Sequence, residues 1–186
     1  MNSGDAAALT SAVVAPRLAV ARHEAAHVVA LRIYRRKYPQ RVVLYVTDDL
    51  GTGQANGRQG ATIVRQTGME ILEIRVSRDR TEDQICWILA GPVQDALLQN
   101  GSPDWWSILL NPLTDDLTSA YGYALLHEPN LRLARRWLEC LCHKVAGFLS
   151  EPLIQTVVSA LAIQLLRTPD MDSSAIEAWL TVRLSN

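Results

Sequence analysis

The chain of 186 residues holds one phenylalanine, three cysteines and no excess of either charge. Cys86, Cys140 and Cys142 have no framework spacing, which argues against a disulfide scaffold and fits a reducing, cytoplasmic setting. Eighteen basic against nineteen acidic residues leave a formal charge of −1. That balance speaks against a dedicated nucleic-acid binder, which carries a strongly basic face. Long hydrophobic runs are missing too. Pro152 to Leu166 is among the longest, yet it contains Gln155, Ser159 and Gln164 and falls short of the ~20 residues a bilayer requires, so no membrane span is expected. Met1-Asn2-Ser3-Gly4-Asp5 lacks a basic n-region, so no signal peptide is expected either.

What is present is an ordinary globular composition, 48% hydrophobic and 20% charged, in a length that suits one domain. Charge is uneven along it. Residues 1–41 carry seven basic and two acidic residues, and residues 42–120 carry five and eleven. Arg32, Arg35, Arg36, Lys37 and Arg41 make up most of the basic excess. They read as the solvated C-terminal end of a helix, where cations suit the dipole, with an acidic docking partner as the other reading.

Residues 1–15 read as a loose arm and 16–186 as a single domain. Pro16 is placed to open a helix that runs to about Lys37, because Pro39 biases Tyr38 away from helical angles. Three short strands are then expected, at 41–47, 61–66 and 70–77, the last from the alternation of Leu72, Ile74 and Val76 with Glu73, Arg75 and Ser77. Between the first two lies DDLGTGQANGRQG (48–60), read as a mobile loop and not as a nucleotide cradle, since no helix follows its G-x-G. The rest is helical: 81–99 behind a Thr81/Gln84 capping box, a short piece carrying Trp105 and Trp106, a helix from the Thr114 cap to Leu126, then 130–149, 152–167 and 173–184. The fold class is therefore α+β, mostly helical, with a small three-stranded sheet after the first helix.

The first helix contains the chemistry. His23-Glu24-Ala25-Ala26-His27 has the H-E-x-x-H pattern, and at 3.6 residues per turn both imidazoles leave the same helix face. They can share one Zn²⁺, while Glu24, rotated ~100° round the helix, is placed to take a proton from a water that the ion polarises. Ala25, Ala26, Val28 and Val29 clothe the other faces, so two histidines and a carboxylate are set into a buried helix. That burial is costly unless something binds them. A catalytic zinc needs a third protein ligand. Asp116 leads a list that also holds Glu70, Glu73, Asp79, Asp95, Asp104, Asp115, His127, Glu128 and His143. Acids in a helix's first turn, as Asp115 and Asp116 are, also suit the dipole without any metal. Trp87, Trp137 and Trp179 fall at apolar helix positions and read as core. Of Trp105 and Trp106, one ring is expected to face outward.

RHEAAHVV (22–29), LAGPVQDALL (89–98) and TDDLTSAYGYA (114–124) together resemble, in order and in spacing, the peptidase domain of the FtsH-type metallopeptidases. The resemblance implies a mostly helical, zincin-like domain and a zinc-dependent endopeptidase with His23, His27 and Asp116 as ligands and Glu24 as general base. It sets Gly91 on a family glycine and Asp95 on a family glutamate, the latter a candidate for orienting a ligand. Ala26 replaces a family glycine, Pro92 stands where an arginine is usual, and the stretch from Gly101 to Pro112 is longer than its family counterpart. No nucleotide-binding module or membrane anchor is evident, so the expected substrate is an unfolded or extended polypeptide, with a separate unfoldase as a possible partner. Such a peptide would add as a strand to an edge offered by 41–47 or 61–66, with the glycine-bearing loop as a lid. The competing expectation is a zinc-binding but catalytically silent domain that regulates or docks a partner through its helical tail or its basic stretch.

Overall fold

The computed structural model describes residues 3–44, 60–64, 66–100, 103–110 and 114–184. The architecture is α+β: eight helices among the described residues, with a three-stranded antiparallel sheet at one side. Helix α1 (Ser3–Arg35) is the axis of the molecule. It begins at Ser3 rather than at Pro16, so the expected loose arm is helical backbone. Ala6, Ala7 and Ala8 have the highest helix propensity, and the helix continues through Pro16 although that residue lacks an N–H. The helix stops two residues earlier than expected. Arg36 takes a left-handed conformation (φ 52°), the geometry that commonly ends a helix.

Strands β1 (Arg41–Leu44) and β2 (Gly60–Ile63) pair antiparallel, with Val42 opposite Thr62 and Leu44 opposite Gly60. The third strand is not 70–77. β3 (Asp170–Asp172) returns from the far end of the chain to pair with β1, giving the order β2-β1-β3. Arg41 and Asp170 pair across that junction. β1 is therefore central, and of the two strands expected to offer a free edge only β2 lies at an edge of the sheet among the described residues. Residues 45–59, including most of the glycine-bearing segment, lie outside the described residues, as does Arg65.

Residues 70–77 fall instead in helix α2 (Gly68–Val76), opened by a reciprocal capping box in which Thr67 Oγ1 accepts from the Glu70 amide and Glu70 accepts from the Thr67 amide. The alternation that suggested a strand has no counterpart in burial: Ile74 is buried, while Ile71 and Val76 are exposed. Helix α3 (Arg78–Asn100) starts before the expected Thr81 cap. Thr81 sits wholly buried inside it, donating to the carbonyls of Ile74 and Ser77.

The remaining helices match their expected spans closely: α4 (Trp105–Leu110), α5 (Asp115–Leu125), α6 (Leu131–Leu149), α7 (Pro152–Arg167) and α8 (Ser173–Leu184). Asp104, Thr114, Asn130 and Asp172 cap α4, α5, α6 and α8 through side-chain oxygens that accept first-turn amides. α6 buries Ala134, Trp137, Leu138, Leu141, Val145 and Leu149, and α7 buries Ile154, Val157, Val158, Leu161 and Leu165; both follow the 3.6-residue period. No single described helix is long and apolar enough to cross a membrane, and α6 and α7 are bent by 83° at their junction. Trp105 is buried, and Trp106 is half-buried under the Arg135 guanidinium, so the more open of the two rings is still partly covered.

From Ala21 to Leu31, α1 is enclosed on nearly every side by α3, α7 and the sheet: Ala21, Ala25, Ala26, Val28, Val29 and Ala30 have no exposure. Small side chains let neighbouring backbones approach closely, which brings other elements up to His23, Glu24 and His27. The basic stretch that follows is engaged within the fold. Arg32 donates to the Tyr38 hydroxyl, Arg35 to the Arg80 carbonyl, and Lys37 pairs with Glu70.

Candidate metal centre

His23 and His27 project from one face of α1 into the junction with α3 and α5. Their outer nitrogens are anchored differently. His23 Nδ1 donates to Asp95 Oδ2 at 2.8 Å, and His27 Nδ1 donates to the Trp87 main-chain carbonyl at 2.9 Å. A carbonyl can only accept, so His27 carries its proton on Nδ1 and turns the Nε2 lone pair inward. The Asp95 carboxylate imposes the same sense on His23. Both Nε2 atoms therefore face one point, 3.1 Å apart.

Asp116 closes the group. Thr114 accepts the Leu117 amide and sets the start of α5, which places Asp116 in its first turn. The helix is held down by Ala120 and Ala124, both wholly buried, and by the Tyr121 hydroxyl donating to the Leu109 carbonyl at 2.6 Å. Asp116 Oδ2 then lies 3.3 Å from His23 Nε2 and 3.4 Å from His27 Nε2. The positive end of the α5 dipole favours its charged form.

Three donor atoms with separations of 3.1, 3.3 and 3.4 Å make one face of a near-regular tetrahedron. A tetrahedron edge is about 1.63 times the centre-to-vertex distance, so these edges fit a central ion at roughly 1.9–2.1 Å, the range of Zn–N and Zn–O bonds. Two neutral imidazole nitrogens and one carboxylate are a donor set zinc accepts, and among the described residues no fourth histidine, cysteine or acid joins the group. The His27 side chain is 5% exposed, against 20% for His23 and 34% for Asp116, so the group opens to solvent on the His23–Asp116 side. Among the described residues, His23, His27 and Asp116 are the one set of three such side chains close enough to hold a metal ion.

Gly91 of α3 explains how the rings fit. A Cβ at this position would lie 2.4 Å from His27 Nε2 and 2.5 Å from His23 Nε2, far inside contact distance. Glu24, one residue along α1, is 5% exposed and faces the sheet. Thr62 Oγ1 on β2 donates to its Oε2 at 2.7 Å, and a Cβ on Gly60 would lie 2.8 Å from its Oε1.

Apart from Asp95 on His23, none of the other acids and histidines considered from sequence joins this group among the described residues, and several have partners elsewhere. His127 is hydrogen-bonded to Thr81 Oγ1 at 2.9 Å, Glu70 caps α2, Asp104 caps α4, and the His143 ring lies against Trp105. Four contributors had not been singled out for these contacts: the Trp87 carbonyl, the glycine at 91 as a steric necessity, Gly60 and Thr62. A main-chain carbonyl has no sequence signature. For Gly60 and Thr62 the only available signal was their i, i+2 spacing on a short strand, which places both on one face.

The charge state of the ion-free group follows from its geometry. Burial of the His23 ring works to lower its pKa, but the hydrogen bonds to Asp116 and Asp95, with the charges of Asp95 and Glu24, outweigh it and raise the value from 6.5 to about 10. Burial works to raise the Asp116 pKa, but the hydrogen bonds and charges of His23 and His27 outweigh it and hold the group well below 3.8. Without a bound ion, these shifts favour a protonated His23 ring facing the Asp116 carboxylate.

The sign of the pH dependence follows. A raised folded-state pKa contributes stability that is fully present below 6.5 and is lost as pH rises through about 10. The depressed Asp116 value contributes stability present above 3.8 and lost as pH falls below it. Melting temperature measured with a chelator present is therefore expected to peak between these limits and to fall from pH 7 to 10. Added zinc must displace the His23 proton, so its apparent affinity is expected to rise with pH over the same interval. Titration of metal-free protein with zinc at several pH values measures this directly.

No family model, no curated protein and no solved structure matches the chain.

Proposed function

We propose that the protein is a zinc-dependent metalloendopeptidase of zincin-like fold, similar to the FtsH-type peptidases, acting on unfolded or extended polypeptide. One observation carries the reading: a tetrahedral face of two inward imidazole nitrogens and one carboxylate oxygen, with the carboxylate of Glu24 next along the same helix. A structural zinc site fills all four positions with protein ligands, whereas here three side chains form the group and Glu24 is a separately held acid beside it.

His23, His27 and Asp116 would hold the ion, with the Asp95 carboxylate and the Trp87 carbonyl keeping each ring in the ligating tautomer. Zinc in such a site polarises a carbonyl and makes water acidic enough to react near neutral pH. Glu24 accepts the proton of the attacking water and delivers it to the departing amine, the two halves of general base and general acid catalysis. Among the described residues β2 is an edge strand, and its Thr62 touches Glu24, so a peptide paired main chain to main chain on that edge would run beside these groups. Pairing of that kind requires an extended chain, which is why the substrate class is unfolded protein.

Metal analysis of the purified chain tests the ligand set. About one zinc per chain is expected in the wild type, with loss in both His23→Ala and Asp116→Ala while circular dichroism stays helical. Zinc retained at the wild-type level in Asp116→Ala removes the third ligand and with it this reading.

A further inference from the structure

We propose that Thr62 is a positioning residue that fixes the Glu24 carboxylate relative to the metal-binding group, so that strand β2 orients the general base as well as walling the site. The inference deepens the peptidase reading and rests on it for its catalytic consequence.

Glu24 belongs to α1, but α1 alone leaves its long side chain several rotamers. A buried carboxylate in the wrong rotamer is a poor base, since a misplacement near 1 Å can cost on the order of 100-fold in rate. The constraint comes from outside the helix. The Thr62 hydroxyl donates to Glu24 Oε2 at 2.7 Å and lies 3.5 Å from the Glu24 main-chain carbonyl, so one hydroxyl spans the base and its own backbone. Thr62 stands opposite Val42, whose side chain is wholly buried, and this pairing fixes β2 in register against the core. Two residues before it on the same face, Gly60 presses on the other side of the carboxylate; a Cβ there would lie 2.8 Å from Oε1 and from Cγ. The carboxylate is thus held between a donor on Oε2 and a bare backbone beside Oε1. Thr62 fixes Oε2 by a hydrogen bond, and the missing side chain of Gly60 leaves just enough room for Oε1.

The experiment uses the full-length, zinc-loaded chain with Thr62→Val, which keeps the shape and removes the hydroxyl, and Thr62→Ser, which restores the donor. Cleavage of a casein-type unfolded protein and the ¹³C resonance of the Glu24 carboxylate are both measured. Thr62→Val is expected to keep its zinc and its KM, to lose on the order of 10- to 100-fold in kcat, and to shift the carboxylate resonance. Thr62→Ser is expected to recover most of both. Wild-type kcat in Thr62→Val, or a loss confined to KM, overturns the proposal, as does a carboxylate resonance unmoved by the valine. If wild type and Glu24→Gln are equally inert, the peptidase reading has failed. The carboxylate resonance then decides the Thr62 assignment by itself: moved by valine and restored by serine it stands, otherwise it falls.

Discussion

Glu24→Gln is expected to retain zinc and helical structure and to lose cleavage of an unfolded protein by on the order of 10²- to 10⁴-fold, the range that a positioned general acid–base supplies. Glutamine keeps the length and volume of the side chain, and its amide oxygen can still accept from Thr62. It has no lone pair basic enough to take a proton from water. Since Glu24 lies outside the ligand group, zinc content serves as an internal control: a fall in rate at constant zinc assigns the chemistry to the carboxylate. Equal and measurable rates for wild type and variant would show that cleavage does not depend on this group. Equal inertness would leave a zinc-binding domain without peptidase activity.

Gly91→Ala is expected to remove zinc binding altogether while leaving most of the fold in place. The added methyl would meet both Nε2 atoms at 2.4 and 2.5 Å, and neither ring has an easy retreat. His23 is tied back to Asp95 and His27 to the Trp87 carbonyl. Relief requires breaking one of these hydrogen bonds or moving α3 off α1, and either spoils a group whose donors must meet one ion within a few tenths of an ångström. Metal analysis and zinc titration read the loss, and circular dichroism checks the fold. Zinc bound at wild-type affinity in this variant would show that the ion does not sit among these three side chains.

The helical half of the fold was legible because its signals are local. Thr114, Asn130 and Pro152 mark helix starts, and the burial stripes of α6 and α7 repeat at the helical period, so spans read from sequence agree with those observed. The sheet was harder because its third strand is a matter of distant pairing. Asp170–Asp172 has no apolar run to advertise it and becomes a strand only by lying beside β1. Residues 70–77 failed in the opposite sense. Their alternation was genuine, but the Thr67–Glu70 capping box had already committed the backbone to a helix, and a local hydrogen-bonded start outweighs a half-buried pattern. At the site, the i, i+4 histidines were visible outright, while Asp116 led a list of ten candidates from the residues alone and was singled out by the resemblance. Asp95 hydrogen-bonds His23 from the position suggested for it. Trp87 had been read as core; its half-buried ring does pack edge-on to His27, but its main-chain oxygen is what the site uses.

The two imidazoles differ in how open they are to natural variation. One is steered by a carboxyl side chain, which a single codon change can shorten, lengthen or neutralise. The other is steered by peptide backbone, which persists whatever side chain residue 87 carries. A substitution at position 95 can therefore re-aim the His23 ring, while the hydrogen bond that steers His27 survives any side chain at position 87 that leaves the helix in place.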